Sequence, residues 1–105
     1  MVEKAAPTME YRYLGNSGLR VSVVAYGDML SDDNEENQKR TNVVVKKCFE
    51  AGINYFDTAE AYGEGAHEKL LGRALKESGK LRSQYVVSTK LFNLKLHKAK
   101  QNWLV

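Results

Sequence analysis

Three short runs rich in β-branched and aromatic residues alternate with two amphipathic stretches, and this alternation restricts the possible folds more than any other feature. The runs are Val23-Val24-Ala25-Tyr26, Ile53-Asn54-Tyr55-Phe56 and Tyr85-Val86-Val87-Ser88-Thr89. The first is continuously apolar and stops at Gly27, the pattern of a strand covered on both faces. In the first intervening stretch Val44, Val45, Cys48 and Phe49 form one apolar stripe at helical spacing, with Lys39, Lys46, Lys47 and Glu50 turned to water. Asp33 and Glu36 read as a capping box at the start of that helix, and Gly52 as its left-handed C-cap. A second helix is marked by Leu70, Leu71, Ala74 and Leu75 and closes at Gly79. Strand-helix-strand repetition of this kind builds parallel sheet with helices outside it, so an α/β fold is expected. Upstream, Tyr11 to Leu14 and Leu19 to Val23 flank the turn Gly15-Asn16-Ser17-Gly18 as the arms of a β-hairpin.

Length and charge narrow the classes of function. A chain of 105 residues is one domain or a piece of one. With 43% hydrophobic and 28% charged residues it is neither disordered nor fibrous in composition. Every acidic residue lies before Lys90, where basic residues balance them, and Lys95, Lys98 and Lys100 carry the whole net charge of +3. A balanced body argues against a nucleic-acid-binding face. No stretch reaches the ~18 apolar residues of a membrane span, and the N-terminus lacks the apolar run of a signal peptide. The single cysteine, Cys48, cannot form an internal disulfide, which fits a reducing, cytoplasmic setting. Cys48, His67 and His97 lack the close spacing of a zinc site, so no metal is expected.

In parallel α/β folds reactive groups gather where strands end and loops begin. Asp57 closes the second strand, Lys90 closes the third, and Tyr62 lies in the loop after Asp57. A phenol is a weak acid at neutral pH, and an ammonium group within ~4–6 Å stabilises its phenolate. A carboxylate beside that lysine keeps the lysine charged against the cost of burial. Together the three residues suit protonation of a carbonyl oxygen. Each alone has a plainer reading, as a turn-capping Asp, a surface-packed Tyr and a solvated Lys; it is their joint placement that raises the chemical one.

The stretches Leu14-Gly15-Asn16-Ser17-Gly18-Leu19-Arg20-Val21-Ser22, Gly52-Ile53-Asn54-Tyr55-Phe56-Asp57-Thr58-Ala59-Glu60-Ala61-Tyr62-Gly63 and Ser88-Thr89-Lys90-Leu91-Phe92 closely resemble the aldo-keto reductases. Within that family the chain is most similar to the voltage-gated potassium channel beta subunits. The resemblance runs from about Tyr11 to Phe92 and implies the N-terminal part of a (β/α)8 TIM barrel, with a hairpin across its N-terminal end and about three barrel strands and two helices. It also implies hydride transfer from NADPH to an aldehyde or ketone. By the same resemblance Tyr62 is the proton donor, Lys90 the lysine that lowers its pKa, and Asp57 the lysine's partner and a contact of the nicotinamide ribose. Gly27, Asp28 and Met29 fall near the nicotinamide, Met29 standing where many beta-subunit relatives have glutamine. The expected organisation is a flexible leader over 1–8, a partial reductase domain over 9–92, and an unaligned basic tail over 93–105.

A full barrel takes ~250 residues, so the chain is read as an N-terminal segment from a truncated or incomplete reading frame, inactive alone. Cofactor affinity should suffer, because the phosphate site of such barrels follows strands seven and eight. The family's fourth catalytic residue, histidine in most members and asparagine in channel beta subunits, would follow the segment. Two readings of function stand: an NADPH-dependent carbonyl reductase, and a regulatory beta subunit that senses NADP(H) while attached to a potassium channel's cytoplasmic domain. Self-association through the third strand's edge is a further expected partner mode. Gly63-Glu64-Gly65 opens like a dinucleotide loop, yet Glu68 stands where a third glycine is required, so it is read as a turn. His67 and His97 are read as solvated, and Leu96, Ala99, Trp103 and Leu104 as one side of a short basic helix.

Overall fold

The structure is a computed structural model that describes residues 8–27 and 32–91. The leader up to residue 7, Asp28, Met29, and the tail with His97 and Trp103 lie outside the described residues. The hairpin expected from the Gly15–Gly18 turn forms, with β1 (Tyr11–Tyr13) antiparallel to β2 (Arg20–Ser22) and Arg12 opposite Val21. Its side chains do not alternate as the sequence suggests, because Val21 and Ser22 are both buried. Three parallel strands follow, β3 (Tyr26–Gly27), β4 (Tyr55–Asp57) and β5 (Val86–Ser88), in the order β3-β4-β5. Helices α1 (Glu35–Glu50) and α2 (Ala66–Glu77) make the crossovers.

The first strand is shorter than its apolar run. Val23 donates its N–H back to Glu10, and Ser22 Oγ donates to the Val24 carbonyl at 2.6 Å. The chain therefore turns at this point; Val23 and Val24 are about half exposed, and only Tyr26 and Gly27 enter the sheet, opposite Phe56 and Asp57. Helix α1 also differs in detail. Its N-cap is Asn34, whose side chain accepts from the Asn37 N–H at 2.8 Å, one residue after the Asp33 of the expected capping box. Its buried face is Gln38, Thr41, Val45 and Cys48, so the stripe is rotated away from Val44 and into polar residues. Gln38 is tolerated there because its amide donates to the Leu70 carbonyl at 3.0 Å and to Asn42 at 2.8 Å, tying α1 to α2. Between the exposed sides of the two helices, Arg73 pairs with Glu77 and reaches Glu35, and Asn42 donates to Glu77.

The core lies between the sheet and the helices. Phe56 is fully buried and meets the rings of Phe49 at 5.1 Å, Tyr26 at 5.9 Å and Tyr85 at 6.4 Å between centroids. Val45, Cys48, Leu71, Ala74 and Leu75 complete the cluster, the last three being members of the stripe expected for α2. Gly52 takes the left-handed conformation expected of it, with φ 89°. A Cβ added there would stand 2.9 Å from that of Met9, and its carbonyl accepts the Tyr11 hydroxyl at 2.6 Å. Asn54, one residue before β4, fastens the hairpin to the sheet. Its side-chain oxygen accepts the Ser22 N–H at 2.7 Å, its amide donates to the Arg20 carbonyl at 3.0 Å, and its own N–H donates to Ser22 Oγ at 3.1 Å.

The rotation of the α1 stripe is testable with neighbouring valines. Val45→Ala should lower the unfolding free energy by about 1–3 kcal/mol, since it empties a buried site. Val44→Ala should stay within about 0.5 kcal/mol of the parent in the same urea titration.

Candidate active site

Parallel pairing brings the C-terminal ends of β4 and β5 side by side, with Asp57 opposite Ser88. The ladder continues past both strands, Thr58 N–H donating to the Ser88 carbonyl at 2.9 Å and Glu60 N–H to the Lys90 carbonyl at 3.1 Å. Lys90 is thereby held next to the end of β4. Its ammonium donates to Asp57 Oδ2 at 2.8 Å and to the Thr58 carbonyl at 3.0 Å, two anchors on one strand end. From that position Nζ lies 5.3 Å from the centre of the Tyr62 ring. The three residues expected to act together do converge, at the carboxyl end of the sheet.

Tyr62 owes its place to an unusual turn. Gly63, Glu64 and Gly65 all have positive φ, at 58°, 57° and 99°, so the chain reverses in left-handed geometry between the tyrosine and α2. Glycine takes such angles at no steric cost, whereas Glu64 does so under strain. The segment is a turn, as its missing third glycine indicates. On its far side stands His67, which is fully buried in the first turn of α2, contrary to the solvated position expected for it. Its imidazole meets the Tyr62 ring edge-on at 6.0 Å. A helical-wheel reading carries the signal for this burial, because His67 lies one turn before Leu70 and Leu71 on the same face.

The site is more open than a buried ion pair would be. The Lys90 side chain is 50% exposed and that of Asp57 37%. The hydrogen bond from Lys90, then that from Ser88, holds the Asp57 carboxyl below its usual range, and the hydrogen bond to Asp57 holds the Lys90 ammonium above its own. Two residues that sequence reasoning passed over join the group. Ser88 Oγ donates to Asp57 Oδ1 at 2.6 Å and accepts from the Tyr55 hydroxyl at 3.0 Å. Nearby, Thr89 donates to Glu68 of α2 at 2.8 Å. Of the residues expected at the nicotinamide, Gly27 ends β3 beside Asp57, while Asp28 and Met29 lie outside the described residues. Cys48 is buried in the core, which pushes its thiol up, away from the thiolate form. Among the described residues no three His, Cys, Asp or Glu side chains gather as metal ligands, and no helix is long and apolar enough to cross a membrane.

A fold of this order with a Tyr, Lys and Asp at the strand ends has clear relatives. The sequence model of the Aldo/keto reductase family matches residues 23–104. This chain therefore belongs to the aldo/keto reductase family. Among curated proteins it is similar to probable voltage-gated potassium channel beta subunits of Oryza sativa subsp. japonica, 44% identical over 84 residues, and of Arabidopsis thaliana, 39% identical over 84. Each match covers 80% of this chain and 26% of the relative, so the chain spans about a quarter of their length. A putative beta subunit of Schizosaccharomyces pombe is 45% identical over 83 residues, covering 78% of this chain and 24% of that protein. Among solved structures, aldo-keto reductase AKR11C1 of Bacillus halodurans in its holo form superposes with a TM-score of 0.67 at 35% identity, over 79% of this chain and 26% of that one. The putative aldo-keto reductase PA4992 from Pseudomonas aeruginosa gives 0.58 at 31% identity, over 77% and 30%. The hairpin, three parallel strands and two helices are thus part of a (β/α)8 TIM barrel.

The ion pair sets a pH window for stability. Asp57 is depressed, so its contribution is present above the ordinary carboxylate value and disappears as pH falls through the lowered one. Lys90 is raised, so its contribution holds below the ordinary lysine value and is lost as pH rises through the raised one. Lys90→Met should accordingly be less stable than the parent at neutral pH, and the gap should close in acid once Asp57 is protonated. Urea unfolding across an acid-to-neutral series reads this directly.

Proposed function

We propose that the chain carries the proton-donor part of an NADPH-dependent carbonyl reductase site acting on aldehydes or ketones. The observation that carries this reading is the convergence of Tyr62, Lys90 and Asp57 at the carboxyl ends of two adjacent parallel strands, with the lysine and aspartate 2.8 Å apart. The same end of the sheet fits a nicotinamide cofactor. The Asp57 carboxylate is partly open, and beside it stands Gly27, where an added Cβ would meet nothing within 4 Å among the described residues. An open carboxylate next to bare backbone is suited to accept ribose hydroxyls. Asp57 and Gly27 would hold that group, joined by Asp28 and Met29. When bound, NADPH supplies a hydride for the carbonyl carbon.

The chain's own residues manage the proton. The Tyr62 hydroxyl faces the developing charge on the carbonyl oxygen and gives up its proton to it. Lys90 provides a fixed positive charge beside the oxygen left behind, and Asp57 with the Thr58 carbonyl keeps that charge in place. A cytoplasmic setting accompanies this reading, since a single buried thiol such as Cys48 calls for no oxidising compartment. A second reading, a channel-associated beta subunit in which the same site senses NADP(H), is supported by the names of the rice, Arabidopsis and fission yeast relatives. Co-purification with a potassium channel's cytoplasmic domain separates the two.

Because the chain spans about a quarter of its relatives, the test places residues 23–91 in a full barrel, replacing the matching segment of AKR11C1. The chimera should consume NADPH in the presence of an aldehyde, and Tyr62→Phe within it should lower kcat by roughly 10²- to 10⁴-fold. A chimera that folds and loads cofactor, yet turns over equally with and without the Tyr62 hydroxyl, would overturn the proposal.

A further inference from the structure

We propose that Tyr55 and Ser88 form a hydrogen-bond relay that fixes the orientation of the Asp57 carboxylate and, through it, of Lys90, which makes both of them positioning residues. The role assigned to the relay rests on the reductase reading, although its geometry does not. Successive residues of a strand point to opposite faces, so Tyr55 and Asp57 share one face of β4. The register of the sheet sets Ser88 opposite Asp57 on that face. From there the Tyr55 hydroxyl donates to Ser88 Oγ at 3.0 Å, and Ser88 donates to Asp57 Oδ1 at 2.6 Å. The other carboxylate oxygen, Oδ2, takes the Lys90 ammonium at 2.8 Å.

Each oxygen of Asp57 therefore has its own donor. A carboxylate held by one flexible lysine at a half-open site can turn about its broad terminal torsion. A second donor on the opposite oxygen removes that freedom. A serine hydroxyl has one proton and two lone pairs. Donation from Tyr55 fills a lone pair, and the serine's own proton goes to Asp57. Donors linked in this way also polarise one another. The direction from which Lys90 faces Tyr62 is then set by the β4–β5 ladder rather than by the four-carbon lysine stem. Among the described residues, the titratable and charged groups around Asp57 are Lys90 from beyond β5, Tyr55 from its own strand, and Tyr62, which approaches Lys90 from the loop.

The test follows the Asp57 side-chain carboxyl carbon by NMR through an acid titration of the complete 105-residue chain. Ser88→Ala should move the Asp57 midpoint upward, Tyr55→Phe should move it upward by less, and Ser88→Thr, which keeps the hydroxyl, should restore the parent curve. Curves for Ser88→Ala and Tyr55→Phe that coincide with the parent overturn the relay. If Ser88→Ala loses the dispersed methyl signals of Val45 and Leu71, and so its fold, Tyr55→Phe decides alone. Lys90→Met, measured alongside, separates this inference from the reading it rests on. A shift in Lys90→Met without one in Ser88→Ala leaves the ion pair intact and removes the relay. A shift in Ser88→Ala without one in Lys90→Met keeps the relay and removes the ion pair that the reductase reading needs.

Discussion

The burial of Phe56 in the helix layer governs where everything else in the sheet can point. Its ring is enclosed by those of Tyr26, Phe49 and Tyr85, a burial that stabilises the fold by about 1.5–3 kcal/mol through apolar area alone. Because a strand alternates sides, committing Phe56 to the helices commits Tyr55 and Asp57 to the opposite face. Val87 and Ser88 repeat the division on β5, with Val87 packed against the core and Ser88 beside Asp57. A register slip of one residue would carry the aspartate into the helix layer and strand its charge among aromatic rings, an arrangement of high cost. Core packing thus specifies the position of the acid without touching it.

The two ends of the sheet are used for different purposes. At the amino end Asn54 gathers the hairpin onto β4 with three hydrogen bonds, and Gly52 permits the close approach of Met9 and Tyr11. At the carboxyl end the ladder runs on through Thr58 and Glu60, outlasting the strands themselves, and delivers Lys90 to Asp57. Closure of the fold and charge pairing are therefore separated by the length of a short strand, consistent with barrels in which conservation of shape and of chemistry occupy opposite rims.

Element order, the buried face of α2 and the placing of Asp57, Tyr62 and Lys90 at or just beyond the strand ends were legible in the sequence, because periodicity and punctuation by glycine mark where strands and helices begin and stop. Leu70, Leu71, Ala74 and Leu75 illustrate this, as all four are buried where their spacing puts them. What escaped depended on partners distant in sequence. Gln38 and Thr41 occupy the inner face of α1 because α2 offers the Leu70 carbonyl and their own helix offers Asn42 and the Asn37 carbonyl, none of which a hydropathy pattern records. His67 looked solvated as an isolated polar residue, yet it is fully buried on the inner face of α2 with the ring of Tyr62 edge-on to it. Ser88 reads as strand filler until the register puts it against Asp57. Val23 and Val24 misled in the other direction, since apolar character alone could not reveal that Ser22 bends the chain before they reach the sheet.

The loop that carries Tyr62 is stapled at both ends to the same strand terminus. Before it, Asp57, Thr58 and Glu60 bond to Ser88 and Lys90; after it, Glu68 bonds to Thr89. The residues between these staples, including the left-handed turn, are cargo on a fixed mount. Variation at the loop residues around Tyr62 can reshape what the tyrosine confronts while the frame that holds Lys90 against Asp57 stays still. Single loop residues can therefore be exchanged, and the surroundings of the ring changed, without disturbing the Lys90–Asp57 pair beneath.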